Sequence, residues 1–124
     1  MPRCDVAIVG AGPAGAVTAW ILAGLDPALR IILCDATATA GRKPCGEYLS
    51  PGGVGVLERA GLLADVLATG ALPLRSLTMR APAGGIRVPF APVLGLVPQA
   101  GHGLGVRRER FDGCLRAAAA RRVE

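Results

Sequence analysis

The chain is 124 residues long, and Gly, Pro and Ala fill 50 of its positions. That length admits one domain with one core and excludes a two-domain enzyme complete within these residues, while a hydrophobic content of 52% excludes wholesale disorder. The formal charge of +5 rests on 13 Arg and one Lys; a basic surface for nucleic acid is the weaker reading, because aromatic residues for base stacking make up only 3% and the joint excess of Arg, Ala, Gly and Pro is the bias of a GC-rich coding sequence.

Residues 4–9 (CDVAIV) read as a buried strand ending at Gly10. Residues 13–25 (PAGAVTAWILAGL) read as a helix opened by Pro13, apolar all round and so expected to be buried on most sides, with Trp20 in the core. Residues 30–35 (RIILCD) are a second apolar strand ending in Asp35, which makes strand, glycine turn, helix and strand a parallel pair with a right-handed crossover. From Val6 to Leu25 run 20 uncharged residues, the length of a membrane span. The cluster of Gly10, Gly12, Pro13 and Gly15 inside that run suits a turn between strand and helix better. Asp5 stands where the positive region of a signal peptide would lead in, so a cytoplasmic protein is expected.

Residues 36–50 form a loop, after which Ser50 caps a short helix with Pro51 as its first residue, carrying Val54, Leu57 and Glu58 and stopping at Gly61. Residues 62–68 add another helical turn or two. Residues 75–81 and 86–90 alternate and form a hairpin turned at Pro82-Ala83-Gly84-Gly85, with Pro89 marking an edge strand. Residues 91–103 are a loop holding His102, the sole His and a loop residue without assigned function; residues 104–107 suggest a short strand. From Arg108 the pattern is helical, with Phe111, Leu115 and Ala118 on one face and Arg116, Arg121 and Arg122 toward the end that favours cations. The four cysteines, at 4, 34, 45 and 114, lack metal-ligand spacing; Cys4 and Cys34 read as small buried hydrophobes of a reducing compartment. There is no internal repeat and no domain linker.

Gly10-Ala11-Gly12-Pro13-Ala14-Gly15 is a G-x-G-x-x-G placed between a strand and a helix, with an acid, Asp35, 20 residues beyond Gly15 at a strand end. That context makes it a dinucleotide-binding pattern. Gly10 permits the tight turn, Gly12 lets backbone approach a pyrophosphate, and Gly15 lets helix and strand pack closely. The helix N-terminus offers N–H groups and partial positive charge to phosphate, and Asp35 can accept from ribose hydroxyls. These residues alone do not separate FAD from NAD.

The stretches DVAIVGAGPAGAVTA, KPCGEYLSP and VRRERFDGCL together resemble the N-terminal part of FAD-dependent oxidoreductases of the hydroxybenzoate-hydroxylase and geranylgeranyl-reductase group. The resemblance covers nearly the whole chain, and its K-x-C-G-E and R-x-x-F-D pieces are the specific ones. It implies an α/β fold: a Rossmann-like FAD-binding βαβ unit with an added β-hairpin and an incomplete parallel sheet. It implies that Gly10, Gly12, Pro13, Ala14 and Gly15 wrap the FAD pyrophosphate. Asp35 would bind the adenosine ribose, where the family usually carries the longer Glu. Arg42 and Lys43 would lie along the cofactor, and the backbone of Cys45 and Gly46 would pass near the flavin. Arg108 would contact the cofactor, with Asp112 as its structural partner one helical turn on. For Cys45 an ordinary loop residue, and for Arg108 a solvated charge, remain open alternatives; Glu47 and Tyr48 have no assigned partner.

The same resemblance implies a later Gly-Asp motif for the FAD ribityl and pyrophosphate, a substrate domain, and NAD(P)H as electron donor of a monooxygenase or reductase. These residues hold neither the motif nor the domain, so the chain is expected to be a fragment that binds FAD weakly or not at all and aggregates. The alternative is a non-catalytic nucleotide-binding or subunit module whose sheet is completed by a second polypeptide.

Overall fold

The computed structural model describes residues 3–41, 43–90 and 101–123. In chain order its elements are β1 (Val6–Val9), α1 (Pro13–Leu25), β2 (Ile31–Cys34), β3 (Tyr48–Leu49), α2 (Pro51–Arg59), α3 (Leu63–Ala68), β4 (Leu72–Leu74), β5 (Ser76–Ala81), β6 (Gly84–Pro89), β7 (Gly103–Gly105) and α4 (Arg108–Ala119). Where length suggests one domain, the chain forms two compact units, Met1–Pro44 with Arg107–Glu124, and Cys45–Val106.

In the first unit β1 and β2 pair in parallel from Val6↔Ile31 to Val9↔Cys34, with α1 as the connection. Both strands are shorter than their apolar runs; beyond their ends Asp5 and Arg30 still meet, the Asp5 N–H donating to the Arg30 carbonyl at 2.9 Å, and Arg30 Nε and Nη2 donating to the two carboxylate oxygens of Asp5 at 3.0 and 2.8 Å. This charge-assisted fork holds the Asp5 carboxyl down at a pKa of about 2. Helix α1 starts and ends where Pro13 and Asp26 punctuate the sequence. It buries Ala16 and Ala19 and packs on α4, whose buried face is Phe111, Leu115, Ala118 and Ala119. Small residues on both helices let the backbones approach closely.

Three expectations are corrected here. Helix α1 is buried along one face only, since Ile21 and Leu25 are exposed. Trp20 is half-buried rather than core; the Arg122 guanidinium lies 3.4 Å from its ring centroid, a cation over the negative face of the indole. Cys4 and Cys34 are exposed, as is Val9, because a two-stranded ribbon has little buried face to offer at its ends.

In the second unit Ser50 caps α2 as expected, its hydroxyl accepting from the Gly53 N–H at 3.3 Å. Gly61, just past the helix, takes a left-handed φ of 71° that favours glycine. Helix α2 packs on a three-stranded antiparallel sheet in the order β3-β7-β4. The core there is Val54, Leu57, Leu62, Val66 and Leu104. Strand β3 lies in a segment expected to be loop, and β4 in one left unassigned; both are too short to show a hydrophobic period. The hairpin β5–β6 forms a separate sheet with a tighter turn than expected, Gly84 already pairing with Ala81. Of the loop expected over 91–103, residues 91–100 lie outside the described residues.

The hairpin puts Leu77 opposite Val88 and Met79 opposite Ile86, so four apolar side chains share one face, and all four are exposed. Such a face, with an open strand edge beside it, promotes self-association. Replacing the facing pair by charges, Leu77→Lys with Val88→Glu, is expected to keep the hairpin through a cross-strand ion pair and to shift the chain toward monomer, as measured by dynamic light scattering.

Candidate functional site

The glycine turn has the geometry its residue types require. Gly10 has φ 104°, a conformation that side chains rarely adopt. A Cβ on Gly15 would sit 1.9 Å from the Gly10 carbonyl oxygen and 3.3 Å from Ile8 Cγ2, so the start of α1 touches the end of β1 through bare backbone. A Cβ on Gly12 would meet nothing within 4 Å, which leaves room over that residue for a ligand to approach. Gly12 is the N-cap of α1, and no side chain caps the helix. The first-turn N–H groups, which lack carbonyl partners within a helix, are thereby left without a side-chain cap.

Asp35 follows β2 and is bound to this turn. The Ala11 N–H donates to Asp35 Oδ2 at 2.7 Å, and the Thr37 N–H and hydroxyl each donate to Oδ1 at 2.9 Å. Arg116 Nη2 lies 3.0 Å from Oδ2. The Thr37 donors foremost, then the Ala11 N–H and the Arg116 charge, hold this carboxyl well below the usual carboxylate range. Three protein donors thus meet the carboxylate, and Oδ2 accepts a single directed hydrogen bond beside the Arg116 charge.

Arg116 was expected only as a cation suited to the helix end. It does more: Nε donates to the Ala11 carbonyl at 2.7 Å and Nη1 to the Thr37 carbonyl at 2.9 Å. Four residues earlier, Asp112 is fully buried and pairs with Arg108, Nε to Oδ1 at 2.5 Å, which is the partnership expected for it. Lys43 Nζ lies 3.7 Å from the other oxygen of Asp112, which accepts no hydrogen bond. Arg108, Asp112 and Arg116 thus form a charged stripe at i, i+4 spacing along α4.

The structure therefore brings Gly10, Gly12, Pro13, Ala14, Gly15 and Asp35 together, and gathers Lys43 with Arg108 and Asp112. Arg42 lies outside the described residues. Cys45 and Gly46 belong to the second unit, where Cys45 is exposed and a Cβ on Gly46 would have open space. Glu47, without an assigned partner in the sequence, has φ 53° and accepts through its carbonyl from the Val106 N–H at 2.9 Å. Tyr48 stacks on Phe90 with ring centroids 5.9 Å apart. Among the described residues no group of His, Cys, Asp and Glu could hold a metal, and no helix is long and apolar enough to cross a membrane.

A family model described as FAD binding domain matches residues 3–112. Over 62 residues, 48% of this chain and 14% of the relative, the sequence is 44% identical to a menaquinone reductase of Mycolicibacterium smegmatis. Among solved structures, a flavoprotein/dehydrogenase of Cytophaga hutchinsonii is similar at 25% identity with a TM-score of 0.84, the match covering 99% of this chain and 29% of that one. The myxobacterial chondrochloren halogenase, described as a variant of FAD-dependent halogenases, matches at 25% identity with a TM-score of 0.80 over 98% of this chain and 28% of its own. The chain thus spans a minor share of the length of each of these relatives. The matches bear out the FAD-dependent resemblance and the α/β, Rossmann-type fold.

Two outcomes follow from the site. Gly15→Ala is expected to cost roughly 2–4 kcal/mol, because the added carbon would overlap the Gly10 carbonyl; urea unfolding measures it. Asp35 and Asp5 both have lowered folded-state pKa values, so their contribution to stability is present above the unfolded carboxylate value near pH 4 and is lost as pH falls through the folded values. Urea midpoints are expected to fall on acidification from about pH 5 toward about pH 2, and Asp35→Asn is expected to flatten that slope.

Proposed function

Because the chain belongs to the FAD binding domain family, we propose that it holds the ADP half of FAD through the turn Gly10–Gly15 and the N-terminus of α1. The observation that carries this reading is the contact of Gly15 with the Gly10 carbonyl, which a side chain would destroy, beside the open space over Gly12. Bare backbone there lets pyrophosphate oxygens reach the first turn of α1, which no side chain caps.

The remaining assignments follow the resemblance. Asp35 serves the adenosine end, Arg42, Lys43 and Arg108 supply cations along the cofactor, and Cys45 and Gly46 supply backbone near the flavin. These 124 residues are the N-terminal portion of a longer FAD-dependent monooxygenase or reductase, with a cytoplasmic location and NAD(P)H as electron donor. Bound flavin would supply hydride acceptance and either O₂ activation or reduction of a substrate double bond. The contribution of this chain is to bind and orient the cofactor; the groups that meet substrate lie in other parts of that enzyme. The unpaired outer edges of β1 and β2 among the described residues also favour a second arrangement, in which another polypeptide supplies further strands.

Calorimetric titration with ADP, FAD and riboflavin tests this. The chain is expected to bind ADP and FAD with the same weak affinity and riboflavin not at all. Failure to bind ADP overturns the reading, and FAD binding far tighter than ADP shows that the flavin half is held here too.

A further inference from the structure

We propose that Arg116 is a positioning residue for the nucleotide turn: together with Asp35 it grips Ala11 by both backbone groups and holds the Gly10–Gly15 turn in its anion-receiving form. The Ala11 N–H is bound by Asp35 Oδ2 and the Ala11 carbonyl by Arg116 Nε, each at 2.7 Å. The same guanidinium binds the Thr37 carbonyl through Nη1 at 2.9 Å. Its Nη2 meets Asp35 as an ionic contact at 3.0 Å without a directed hydrogen bond. One planar group thus joins α4 to segments 79 and 105 residues away in sequence.

Only arginine suits this place. Three acceptors surround one fork of donors, whereas a lysine ammonium at the end of a flexible stem does not match that spread. The side chain is 14% exposed, and its bond to the Ala11 carbonyl is partly buried, where leaving a partner unpaired is costly. The electrostatic consequence concerns the ligand. The Ala11 carbonyl, left free, would place partial negative charge in a turn that has to receive phosphate. The Asp35 carboxylate would add a full one. Arg116 occupies the first and offsets the second.

Asp35 holds the turn as well, since Oδ1 takes two donors and Oδ2 takes one donor plus the ion pair, and this is compatible with its place at the adenosine end. The ligand that the turn receives is the one assigned under the proposed function, and in that respect alone the clamp rests on that assignment.

Amide hydrogen exchange on the full chain without nucleotide tests the clamp itself. Arg116→Met is expected to speed exchange of the Ala11 amide about tenfold or more while the amides of β1 and β2 keep their rates; an unchanged Ala11 rate, or equal acceleration across both strands, overturns the proposal. If that variant does not fold, Arg116→Lys, which keeps the charge and loses the fork, is expected to show the same local acceleration. A second arm compares ADP with 2′,3′-dideoxy-ADP by calorimetry. Arg116→Met is expected to weaken both by the same factor, about tenfold; a loss confined to ADP would place the effect at the ribose and overturn the positioning role. If the unmodified chain binds neither nucleotide, the cofactor assignment fails on its own, and the exchange arm still decides the clamp.

Discussion

The close approach of Gly15 to the Gly10 carbonyl is the contact on which the first unit depends. It brings the first turn of α1 against Gly10, the residue that follows β1, with no side chain between them. From that start the direction of α1 follows, and with it the packing of α1, which buries Ala16 and Ala19, on α4, which buries Ala118 and Ala119. Had the helix stood off by the width of a methyl group, its small-residue face would meet α4 across a gap, and dispersion contacts fall away steeply with distance. One pair of glycines therefore sets both the shape of the turn and the packing of the helices behind it.

Helix α4 does two kinds of work on two stripes. Its apolar stripe closes the core. Its charged stripe of Arg108, Asp112 and Arg116 meets polar groups that would otherwise be left buried and unpaired. Asp112 is fully buried, and its charge is tolerable only because Arg108 bonds it and Lys43 stands nearby. Arg116 extends the same logic to the loop after β2 and to the glycine turn. A segment more than 100 residues downstream of the turn thus completes it.

Much of this was legible in the residues. Pro13 and Asp26 bracket α1, Ser50-Pro51 opens α2, and the alternation around Pro82-Ala83 marks the hairpin, because each is a local device written in adjacent residues. The strand ends are blurred in the sequence, since Asp5 and Arg30 read as parts of apolar runs while the regular ladder begins only at Val6 and Ile31. Strands β3 and β4 have two and three residues, too few for an alternating pattern to recur, and exist through their pairing with β7. The Arg108–Asp112 pair was visible in helical spacing. The clamp of Arg116 was not, because its partners are distant in sequence and two of them are backbone carbonyls, which no residue type announces. Its position four residues after Asp112, on the stripe of Arg108, was the one available signal.

The arginine stack on Trp20 also gives the molecule an optical label. Trp20 is the sole tryptophan and belongs to the first unit; Tyr48 is the sole tyrosine and belongs to the second. Indole emission therefore reports one unit and phenol emission the other, with a guanidinium over the indole tying its colour and intensity to the docking of the segment that follows α4. Each half of a chain with so few aromatic groups thus carries one emitter of its own.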